Sequence, residues 1–150
     1  MAALKRAAAR RDRPLVNANF VVEIGAGKGS GFAEVVFAPF AATPEAAHAP
    51  SLAAAATAPV ANRIVLRRGA TGALDLYDWW RQARDGRAPR RRTVTVKLLA
   101  DDHASVLVTW RFRNVKPVSL AYSPLDALDG TVLMETIELA FDDVEMSAAG

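Results

Sequence analysis

Residues 25–31 read Gly-Ala-Gly-Lys-Gly-Ser-Gly, the residue types from which phosphate-binding loops are built. A phosphate loop needs a glycine five positions before its Gly-Lys pair and a serine or threonine directly after the lysine. Here Val22 occupies the first place and Gly29 the second. The dinucleotide pattern fails at Ser30, where its third glycine belongs. No long helical pattern follows, so the segment reads as a hairpin turn.

The other candidates for chemistry are equally isolated. His48 lies in an alanine-rich stretch and His103 in a short turn, each without partners at metal-ligand spacing. Asp101 and Asp102 beside His103 are turn formers. Ser105, Ser119 and Ser123 lack the strand–turn–helix context of an activated serine. Glu135 and Glu138 are three apart on an extended pattern, which puts them on opposite faces of one strand. No catalytic set emerges, and neither a cofactor nor a metal is implied. The chain is expected not to be an enzyme.

The 150 residues suit one ordinary domain, and 51% hydrophobic content supports a core. No apolar run approaches the roughly 20 residues a membrane helix needs. The basic N-terminus is not followed by an apolar block, which argues against a secretory signal. The sequence holds no cysteine, which excludes disulfides and thiolate metal sites.

The net charge of +3 is unevenly spread. Residues 63–92 carry nine arginines against Asp75, Asp78 and Asp85, and no basic residue follows Lys116. The acidic end holds Asp126, Asp129, Glu135, Glu138, Asp142, Asp143 and Glu145. Basic and acidic regions can meet inside one molecule or head to tail between copies.

The elements follow from periodicity. Residues 1–14 are expected to form a flexible basic tail. Val16–Ile24 alternates as a half-buried strand, with Val16, Ala18, Phe20, Val22 and Ile24 on one face. Phe32–Phe37 is a second strand. Residues 38–62 form an Ala/Pro-rich insertion, with eleven alanines between 41 and 61 and prolines at 44, 50 and 59. Ile64–Arg68 is a third strand. A helix is expected from a Thr71 cap to Asp85, with Gly86 ending it. Its buried stripe is Leu76, Trp79, Trp80 and Ala83.

Two strands, over 93–98 and 105–113, alternate most cleanly and make a hairpin. Residues 114–120 continue the second of them as a bent strand, with Pro117 at an edge or bulge. One long final strand is expected from Thr131 to Met146, followed by a tail over 147–150. Both of its faces are partly apolar, unlike a monomer's surface strand, and fit a sheet that meets another subunit. The fold class is therefore mainly β, a sandwich or barrel with one flanking helix.

The order of segments then becomes informative. Asn17-Ala-Asn-Phe-Val-Val-Glu-Ile24, Gly31-Phe-Ala-Glu-Val35, Leu66-Arg-Arg-Gly69 and Leu76-Tyr-Asp-Trp-Trp80 come first. Arg84-Asp-Gly86, Arg91-Arg-Thr-Val-Thr-Val96, Trp110-Arg-Phe-Arg-Asn-Val-Lys-Pro117 and Glu135-Thr-Ile-Glu-Leu-Ala140 follow. Over residues 15–146 this resembles the phage tail tube family, including the inner-tube proteins of contractile injection systems. The resemblance implies a structural subunit whose copies form hexameric rings around a continuous inner β-barrel. It implies neighbouring tube rings, sheath and baseplate proteins as partners, and cargo protein or DNA in the lumen. It implies assembly in the bacterial cytoplasm and residence in the tail-like particle. Arg111, Arg113, Glu135 and Glu138 are then the expected interface or lumen residues, and Leu76, Trp79 and Trp80 the helix-packing residues.

One departure stands out. Family members that build the long tube carry, after the second strand, a hairpin with an acidic–Tyr–basic core that reaches the adjacent ring. Here that place holds the Ala/Pro-rich insertion. A specialised ring, such as a baseplate tube initiator or a terminal ring, is the alternative within the class. From another class, the Arg clusters with Trp and Phe on a β-surface suit a small nucleic-acid-binding barrel.

Overall fold

The computed structural model describes residues 14–25, 31–43, 60–86 and 91–149. Most of the expected N-terminal tail, His48 and the middle of the 38–62 insertion lie outside them. The described chain forms seven strands and one helix. They are β1 (Phe20–Ile24), β2 (Glu34–Phe37), β3 (Arg63–Gly69), α1 (Asp75–Arg84), β4 (Arg92–Leu99), β5 (Val106–Tyr122), β6 (Met134–Ala140) and β7 (Asp143–Ala148).

All pairings are antiparallel, in the order β1-β4-β5-β6-β3-β2, with β7 also on β5. The 17-residue β5 belongs to two sheets. Its first half lies between β4 and β7, and its second half pairs with β6. The strand bends between these halves. Asn114 has a φ of 54°, and the register shifts between Pro117 and Ser119. Proline offers no N–H to a ladder, so an irregularity beside it is the expected place for a bend.

The bend folds one half-sheet onto the other and closes the core between them. Val22, Val94, Val96 and Phe112 from the first sheet meet Ile64, Leu66, Ile137 and Leu139 from the second. The Phe37 ring lies 5.0 Å from Trp110, and Phe112 lies 4.8 Å from Phe141. Helix α1 completes this core with Leu76 and Trp79, both essentially unexposed, while Trp80 is half-buried beside Tyr77. Arg92 stacks over Trp79 at 4.8 Å from its ring centre.

Several boundaries differ from the sequence reading. β1 begins at Phe20, not Val16: its partner β4 ends at Leu99, whose N–H makes the last bond of the ladder to the Asn19 carbonyl. Helix α1 begins at Asp75, and Leu74 at its N-cap makes no side-chain bond. The Thr71 hydroxyl instead accepts from the Ala73 N–H in the preceding turn. The long final strand is two strands, broken where Phe141 turns into the core and the Asp142 N–H bonds the Arg113 carbonyl. Ser147 and Ala148, expected in a tail, continue β7, and the Ala149 N–H bonds Leu107.

Candidate assembly surface

The residues with chemical potential are occupied by folding. Asp102 accepts from the backbone N–H groups of Ala104 and Ser105 and so shapes the β4–β5 turn. A cleft of about 360 Å³ beside that turn is lined by Leu15, Val16, Leu99, Leu107 and the two aspartates. Ser105 also lines it, and its hydroxyl donates to Asp102 Oδ2 as part of the same turn.

Glu135 has an internal partner. It is 4% exposed and shares its strand face with Ile137 and Leu139. Arg68 Nε donates to its Oε1 at 2.8 Å, and the Tyr122 hydroxyl donates to its Oε2 at 2.6 Å. The same guanidinium reaches both oxygens of Asp75 at the start of α1. Arg68 thus ties β3, β6 and α1 together. Its hydrogen bonds lower the Asp75 pKa, and the hydrogen bond to Glu135, helped by burial, pushes Tyr122 up to about 12. The strand parity of Glu135 with Ile137 was the available sign that it faces inward.

Glu138 lies on the opposite, uncovered face of the second sheet. Arg63 approaches to 3.8 Å and Ser119 Oγ donates at 3.3 Å. Arg111 and Arg113 sit on the uncovered face of the first sheet. Arg111 occupies a row that runs Glu23, Thr95, Arg111, Glu145 across four strands. Arg113 pairs with Glu145 at 3.1 Å, and Lys97 with Glu23 at 3.0 Å. The four residues singled out in the sequence therefore separate: Glu135 is buried, Glu138 lies on the uncovered face of the second sheet, and Arg111 and Arg113 on that of the first.

What the fold does bring together is a set of open strand margins. Among the described residues, no strand covers the outer sides of β1, β2 or β7, nor the side of β5 away from β6 over residues 117–122. The second sheet is open on both of its margins, β2 and the end of β5. Both expose apolar side chains: Val36 is 40% and Val118 42% exposed. Unpaired margins of this kind are templates for another chain. The uncovered face between them is small and polar. Its rows are Glu34-Arg67-Thr136-Ala121, Val36-Val65-Glu138-Ser119 and Arg63-Ala140-Lys116, with no aromatic residue.

A bent antiparallel sandwich with one flanking helix and open sheet margins is the class of β-protein that the fold defines. The T4-like virus tail tube protein gp19 family model matches residues 16–145, and the chain belongs to that family. No curated protein matches the chain. Among solved structures, a chain of an extracellular contractile injection system, the PVC sheath–tube complex in its extended state, superposes with a TM-score of 0.69. The identity is 21%, over 99% of each chain. The cap that terminates the tube of the anti-feeding prophage gives 0.69 at 18% identity, over 92% of this chain and 93% of that one. Hcp1 from Flavobacterium johnsoniae gives 0.58 at 18% identity, over 87% and 96%. The fold is that of tube proteins, and the chain is a tail tube protein of this family.

Proposed function

We propose that six copies close into a ring by pairing the β2 margin of one copy with the β5 margin of the next. The second sheet thereby becomes one segment of a continuous inner barrel. The observation that carries this is the pair of unpaired, partly apolar margins on one four-stranded sheet. Neighbour pairing satisfies their backbone groups and covers Val36 and Val118. The face between them, bearing Glu138 and Ser119, lines the conduit through which cargo protein or DNA passes. The chain does no chemistry; it is a wall. Its partners are further tube rings, sheath and baseplate, and its place is the tail-like particle after assembly in the cytoplasm.

Electron microscopy of the purified full chain, with light scattering, tests this reading. Rings of six support it. A monomer at high concentration, with no ring at any salt, overturns it. A specialised terminal ring is the second reading, favoured by the Ala/Pro-rich composition of residues 38–62. The nucleic-acid alternative loses its stacking platform, because Trp110 packs on Phe37 and Phe112 is wholly buried. A strongly salt-dependent oligonucleotide affinity would revive it.

A further inference from the structure

The uncovered face of the second sheet changes sign along its strands. One row sets Glu34 directly across the β2–β3 ladder from Arg67, so its charges balance. The next places Glu138 beside Val65. The third, Arg63-Ala140-Lys116, holds two cations and no anion. Rows on one face are two residues apart, so the change from balanced to acidic to basic spans roughly 13 Å.

The two cations of the third row are engaged differently. Arg63 Nη1 stands 3.8 Å from Glu138 Oε1, a loose pair, and that carboxylate also accepts from the Ser119 hydroxyl. Lys116 is exposed, and among the described residues it makes no ion pair. The residue between them in the row is Ala140, whose methyl group offers no counter-charge. Adjacent strands lie roughly 4.8 Å apart, so Arg63 and Lys116 stand roughly 10 Å apart across β6.

Resting on the ring reading above, we infer that this row becomes a cationic band, two charges from each copy, that takes the carboxylates of an acidic segment of a protein cargo. A concave wall lined by one sign of charge focuses its field on what enters. The exposed lysine with no anionic partner on its own chain is the observation that carries this. DNA is the poorer fit. Its phosphates come at every step and meet Glu34 and Glu138 in the neighbouring rows, and the face has no aromatic residue on which a base could stack. A peptide carries its carboxylates intermittently, on side chains that reach Lys116 while the rest of the segment lies along the balanced row.

The test uses rings of the full chain isolated by gel filtration, titrated against fluorescent polyglutamate, polylysine and a single-stranded oligonucleotide and read by anisotropy. Polyglutamate should bind tightest, and its affinity should fall by about tenfold or more between about 50 and 200 mM salt. Lys116→Glu should weaken it by about tenfold or more, and Lys116→Gln, which only removes the charge, by about threefold or more. Either variant that forms rings suffices. Lys97→Glu, on the uncovered face of the first sheet, should change it less than about twofold. Wild-type affinity in the Lys116 variants, or tighter binding of polylysine, overturns the inference. Tighter binding of the oligonucleotide overturns it in favour of a nucleic acid. Absence of wild-type rings overturns the ring reading, and the band with it.

Discussion

Arg68 and Glu135 are 67 residues apart in the chain and meet at 2.8 Å between Nε and Oε1, with both side chains less than a tenth exposed. The pair joins β3 to β6, and through Asp75 it joins both to α1. A buried ion pair is costly to desolvate, and its retention depends on complete pairing. Here Tyr122 and Asp75 supply the remaining partners.

Removing one member should therefore be worse than removing both. Arg68→Met alone is expected to destabilise the fold by about 3–5 kcal/mol, because it leaves the buried Glu135 carboxylate without a cation, and Glu135→Leu should cost less, because Arg68 keeps Asp75. The double variant should recover much of that loss. Chemical denaturation of the single and double variants checks this. Additive losses would show that the charges are not coupled.

Acid should loosen the same joint. Arg68 holds Asp75 below its ordinary value of 3.8, so its contribution is complete above that value and is lost as pH falls through the lower folded one. Melting temperature should drop as pH falls below about 4, and Asp75→Asn should flatten that limb. Tyr122 acts in the other direction. Its pKa rises from 10.0 to about 12, so its contribution is complete below 10 and fades as pH rises through 12. Both groups are half exposed, so solvent screening keeps each effect modest.

Surface charges should separate assembly from folding. Glu138→Lys replaces the partner of Arg63 and Ser119 on the proposed conduit face. It should reduce ring yield while moving the monomer's melting free energy by less than about 1 kcal/mol. Arg111→Glu places a carboxylate in the row that already holds Glu23 and Glu145, and is expected to have the same selective effect. Gel filtration and thermal melts on both variants decide the matter. Normal rings in both would remove these faces from the interface.

The helix should prove essential to the core. Trp79 is fully buried, and Arg92 caps its ring. Trp79→Ala is expected to cost about 3–5 kcal/mol, read as a large fall in denaturation midpoint. Trp80→Ala, at a half-buried position, should cost visibly less.

Local pattern carried a good part of this protein. Alternation in 93–98 and 105–113 marked the β4–β5 hairpin, and the spacing of Leu76 and Trp79 marked the buried side of α1. Both signals are short-range consequences of strand and helix periods, so they are legible in one chain. The order of segments along the chain also carried the family. The tertiary structure alone decided three things. It broke the last strand at Phe141, because β6 and β7 pair with different halves of a bent β5. It supplied the buried partner of Glu135, because Arg68 is distant in sequence and no local period records the pairing. Among the described residues it left both margins of one sheet without a strand partner, because strand neighbours come from register between remote segments, and no local period records which edge stays open.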